Sequence, residues 1–74
     1  MSFKLFRYTM PNTLKEVAFF ENESDLKDFF NNSYEVEQRT GIKIFEPNFK
    51  TLEDIKVFVV SHNSIIELKE YKEK

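Results

Sequence analysis

No cysteine occurs in the 74 residues, which excludes a disulfide and any thiolate metal site. A single histidine, His62, cannot supply a zinc tetrad, and it is the one side chain whose ordinary pKa suits a neutral-pH base. Its neighbours Ser61, Asn63 and Ser64 are turn formers, so it reads as a solvated turn histidine. The one glycine, Gly41, excludes the loops in which several glycines let the backbone approach a phosphate. Glu21, Glu23, Asp25 and Asp28 lie close together but lack the spacing of a calcium loop. The longest apolar runs, Val17 to Phe20 and Val57 to Val60, fall far short of the roughly 20 residues a membrane span needs. Lys4 and Arg7 interrupt the start, where a secretory leader would carry an apolar stretch. The expectation is a cytoplasmic protein that is not an enzyme, with no cofactor, no metal and no membrane partner.

What the chain has in plenty is phenylalanine, nine residues of it. Residues 1–74 allow one domain, and a domain this short buries only about 60% of its unfolded surface. Phenylalanine, at roughly 150–250 Å² of burial each, is the means left to build a core without staples. Phe, Tyr, Met, Ile, Asn and Lys make up 34 of the 74 residues, while Gly, Ala, Arg and Pro make up 6. That skew fits an AT-rich genome, such as a low-GC bacterium, its plasmid or its phage.

Phe3 to Met10 alternates and ends at Pro11-Asn12-Thr13, which predicts a strand and a turn; Leu14 to Glu21 predicts its hairpin partner. Asn22 or Ser24 can cap a helix, and Leu26, Phe29, Phe30, Ser33 and Tyr34 form one helical stripe. Arg39 and Gly41 suit its end, giving one helix from about Glu23 to Thr40. Asn31-Asn32-Ser33 is a poor helix interior, and the competing reading stops at Asn32 and pairs 34–38 with 42–46 as a hairpin. Ile42 to Glu46 and the β-branched Ile55 to Ser61 read as strands, with 51–54 a turn or helical turn between them. Ile65 to Tyr71 reads as the last strand, before a frayed tail at 72–74. The expected fold is α+β: a small antiparallel sheet in the order ββαβββ with one helix on one face.

Two patterns bear on function. Residues 16–38 hold seven acids against Lys27 alone, a local balance of −6, whereas residues 1–15 hold Lys4, Arg7 and Lys15 and no acid. Such segregation steers encounter with a basic partner. The predicted strands also carry apolar residues on both faces, and one helix of about 16 residues, roughly 24 Å long, covers one face only. Phe45, Phe58 and Phe6 then need cover from the 47–54 loop, a second copy or a foreign protein.

The expectation that follows is a non-enzymatic protein-binding accessory module, an inhibitor or modulator encoded by a phage or mobile element. Its partner would be a larger host protein, such as a nuclease or defence factor, with a basic nucleic-acid-binding surface. Phe45, Phe58 and Val60 would be the anchors, and Glu21, Asp25, Asp28 and Glu35 would orient the complex. Two alternatives stand beside it. One is a nucleic-acid platform built from Lys4, Phe6, Arg7, Tyr8, Lys43 and Phe45, which the net charge of −2 disfavours. The other is a homodimer that hides the second sheet face.

Overall fold

The computed structural model describes residues Met1–Lys72. Three strands and three helices follow in the order β1 (Ser2–Thr9), β2 (Thr13–Phe20), α1 (Glu23–Phe30), α2 (Ser33–Thr40), α3 (Leu52–Ser61) and β3 (Ile66–Tyr71). The α+β class holds, with one antiparallel sheet in the spatial order β2-β1-β3. The expectation for the tail falls partly on Glu73 and Lys74, outside the described residues.

β1 and β2 form the expected hairpin, turning at Met10–Thr13, where Asn12 takes a positive φ of 122°. Register runs Phe3 to Phe20 and Leu5 to Ala18, then slips by one residue so that Phe6 faces Glu16. Val17 is the extra residue, a β-bulge. β3 pairs with the other side of β1 without a slip, from Ser2 opposite Tyr71 to Arg7 opposite Ile66.

The expected long helix is two. Asn22 caps α1 by accepting from the Asp25 N–H at 2.8 Å, and Asn32 caps α2 by accepting from the Glu35 N–H at 3.2 Å. The Asn31-Asn32 pair breaks the run because these side chains compete for backbone groups and favour caps over interiors. Gly41 ends α2 as anticipated, at φ 78°, a left-handed conformation that costs glycine nothing.

The larger departure is 52–61. This segment is not the strongest strand but helix α3. Thr51 accepts from the Asp54 N–H at 3.1 Å while Asp54 Oδ2 accepts from the Thr51 N–H at 3.1 Å, a reciprocal capping box. Leu52, Ile55 and Val59 then share one helical stripe, and Ile55 and Val59 are buried. β-branched content is a weak bias beside a cap plus a buried stripe. Nor is Ile42 to Glu46 a strand: it belongs to an irregular connection, residues 41–51, outside the sheet.

All the burial lies on one side of the sheet. Phe3, Leu5, Phe20 and Ile66 pack against Leu26 and Phe30 of α1, Val36 of α2, and Ile55 and Val59 of α3, with Ile42 closing the cluster. Three short helices and a loop, rather than one helix, roof that face.

Candidate interaction surface

The 41–51 connection carries the most exposed large ring in the chain. Ile42 is buried and Ile44 half-buried, so the backbone is pinned inward at alternate residues while Phe45 points out, 88% exposed. The far end of the connection is clamped by a side chain. Asn31 Nδ2 donates to the Phe49 carbonyl at 2.9 Å, and the Phe49 N–H donates to Asn31 Oδ1 at 2.9 Å. One amide thus satisfies both backbone groups of Phe49, as a neighbouring strand would. Asp54 Oδ2 also accepts from the Lys50 N–H at 2.9 Å. These backbone bonds from Lys50 and Thr51 hold the Asp54 carboxyl below its usual range.

Beside Phe45 stands Tyr34, the first-turn tyrosine of α2, 68% exposed. Sequence periodicity assigns Tyr34 to the buried stripe, which holds only for an unbroken helix. Restarting at Asn32 turns it outward. The two rings, with Ser33, Glu37, Lys43 and Ile44, line a shallow recess of about 380 Å³. The chemistry of this recess is that of an apolar rim between one acid and one lysine.

No protein-family model, curated protein or solved structure matches the chain. The reading of the surface therefore rests on its geometry.

The residues singled out as contacts do not form one patch. Phe58 is half-buried in an aromatic cluster, its ring centroid 5.9 Å from Phe30, 5.4 Å from Phe49 and 4.3 Å from His62. Val60 is 68% exposed, but it lies on α3 beside exposed Val57 and lines cavities that share no residue with the Phe45 recess. Glu21, Asp25 and Asp28 are exposed around α1 and make no ion pair among the described residues. Glu35 is half-buried and lies 3.8 Å from Arg39 on the same helix. His62 caps the C-terminal end of α3, with Nδ1 2.9 Å from the Phe58 carbonyl oxygen.

The open face of the sheet departs from the platform drawn from sequence. Lys4, Phe6 and Tyr8 alternate onto it, whereas Arg7 reaches Gly41 on the roofed side, and Lys43 and Phe45 are off the sheet altogether. On that face Lys69 sits 5.1 Å above the Phe6 ring and Lys4 lies 5.6 Å from the centroid of Tyr71. Glu16 lies 3.5 Å from Lys4 and Glu67 3.8 Å from Lys69. Two of the rings on this face, Phe6 and Tyr71, thus lie under cations matched by carboxylates, while Phe19, opposite Lys4 on β2, stays half exposed.

Proposed function

We propose that this chain is a non-enzymatic protein-binding module that docks a larger protein through the recess between Tyr34 and Phe45. The observation that carries the reading is the 88% exposure of Phe45 on a connection held at both ends. A phenylalanine left in water forgoes roughly 1.5–3 kcal/mol of burial, which a partner's pocket recovers. Presenting it on a fixed backbone keeps the ordering cost of binding small. The partner's pocket is apolar, rimmed by Lys or Arg where it meets Glu37 and Glu46 and by an acid where it meets Lys43 of the same recess, and the adjoining α1 adds Asp25 and Asp28. Those acids steer the encounter and Phe45 supplies the anchor. The wider reading, an inhibitor of a host nuclease or defence factor encoded by a phage or mobile element, rests on composition alone. The matched charges of the open sheet face weigh against nucleic acid as the ligand.

The test compares the unaltered chain with Phe45→Ala, first for thermal stability and then for partner capture from native lysate and affinity for the captured protein. The expected outcome is an unchanged melting temperature and an affinity loss of about 2 kcal/mol or more, roughly thirtyfold. Equal affinity of the two proteins for every captured partner would remove Phe45 from the function.

A further inference from the structure

Among the described residues both outer strands of the sheet have a free edge, and the two edges are not alike. β2 is interrupted by the bulge at Val17, whose carbonyl accepts from Arg39 Nη1 at 2.9 Å. A bulge and a capped carbonyl obstruct the pairing of another strand. β3 has neither: its six residues run in unbroken register with β1. The Tyr8 N–H donates to the Ile65 carbonyl at 2.9 Å, so odd-numbered residues of β3 turn their peptide groups toward β1. Leu68 and Glu70 therefore aim N–H and C=O outward, as does the Ile66 carbonyl.

We infer that β3 pairs antiparallel with β3 of a second copy of this chain, Leu68 opposite Leu68 on a two-fold axis, making one continuous six-stranded sheet. The side chains select this register. On the open face it places Ile65 opposite Tyr71, Glu67 opposite Lys69, Lys69 opposite Glu67 and Tyr71 opposite Ile65. Every pair on this face is favourable: an aliphatic on an aromatic, now 37% and 41% exposed, and an acid on a base. Sliding by one pleat repeat in one direction sets Glu67 against Glu67, and in the other Lys69 against Lys69, both repulsive. On the roofed face, Val59, Val60 and Leu68 line a recess of about 300 Å³ with Lys56 and Glu70, directly beside the strand edge. The pairing brings two such recesses together, covering exposed Val60 of each α3. A strand of this length supplies about four new backbone bonds, since the Ile66 N–H already donates to the His62 carbonyl at 3.0 Å. This surface is separate from the Phe45 recess, so the two readings stand or fall independently.

Charge reversal tests the register without touching the core. Sedimentation equilibrium of the full chain at low salt, from micromolar to near-millimolar concentration, should show a monomer–dimer equilibrium. Glu67→Lys alone or Lys69→Glu alone turns two attractive cross-strand pairs into two repulsive ones and should weaken association about tenfold. An equimolar mixture of the two variants should recover it as a heterodimer, because each then meets its opposite. Circular dichroism of each variant checks that the fold survives, and Val60→Ser gives a second disruption, through the recess and without adding a charge. A chain that stays monomeric throughout overturns the inference. So does a dimer indifferent to these reversals, which would place the contact on another surface.

Discussion

Phe58 and Phe45 are both aromatic, both close to exposed valines or lysines in sequence, and their fates differ. Phe58 is drawn under by Phe30, Phe49 and His62, at edge-on or tilted geometries that add to its area burial. From sequence, Phe58→Ala is expected to spare the fold and abolish binding. The structure reverses the expectation for stability. Truncation removes three ring contacts from a half-buried site and should cost about 2–3 kcal/mol, below the 3–5 of a fully buried ring. Urea denaturation of Phe58→Ala beside Phe45→Ala reads the difference; equal midpoints would show that the cluster contributes nothing. Asp54 is the other residue whose environment makes a checkable claim. Its carboxyl titrates lower in the folded chain than in the unfolded one, because the Lys50 and Thr51 N–H groups donate to the charged form. A lowered folded value stabilises above the ordinary carboxylate range, and that contribution is lost as pH falls through the folded value. Asp54→Asn should thus melt below the unaltered chain at neutral pH, with the gap closing in acid. A gap independent of pH would assign the effect to packing instead of charge.

At the scale of elements, legibility followed the capping residues more than the propensities. The hairpin, the end of α2 at Gly41 and the last strand were readable, because turn residues and a left-handed cap are local requirements. The 52–61 segment was not, although the signal existed: Thr51 and Asp54 three apart, ahead of Leu52, Ile55 and Val59. Counting β-branched residues outweighed the capping pair, whereas in the folded chain the cap and stripe decide. The 23–40 segment shows the converse, since two asparagines that look merely unfavourable inside a helix become a clamp and a cap. Asn31 in particular does long-range work that no periodicity reveals, joining the end of α1 to Phe49, eighteen residues on. Replacing it by alanine should leave the sheet and α3 intact while releasing the 41–51 connection. Amide hydrogen exchange checks this, with Phe49 expected to lose protection in Asn31→Ala while Leu5 and Ile55 keep theirs. Unchanged protection at Phe49 would mean that Ile42 and Ile44 hold the connection unaided.

For the molecule as a whole, the apolar side chains that lack cover lie elsewhere than the strand pattern implies. Phe45 and Phe58 are not on strands, and the far side of the sheet is far less greasy than a five-stranded reading implies. What sits there, Phe6, Tyr8, Phe19 and Tyr71 among Lys4, Lys69, Glu16 and Glu67, is a mixed layer in which lysine heads lie over Phe6 and Tyr71. That arrangement could not be read from one strand at a time, because it depends on which strands become neighbours: β3 lies next to β1 across nearly the whole chain. The two faces should consequently differ sharply in energy. Phe3, wholly buried under the helices, should cost about 3–5 kcal/mol on truncation to alanine, a large share of the roughly 4–11 kcal/mol expected for a chain this size. Phe6, half-covered by a lysine, should cost about 1 kcal/mol, mostly a cation–π contact and part of its area. Adding salt should narrow the Phe6→Ala difference slightly and leave Phe3→Ala unchanged, since only the former removes an electrostatic contact near solvent. Comparable losses at the two positions, measured by denaturant midpoints at matched slopes, would mean that the open face is as dry as the roofed one. That could only happen if a second layer, from another copy or another protein, lay across it.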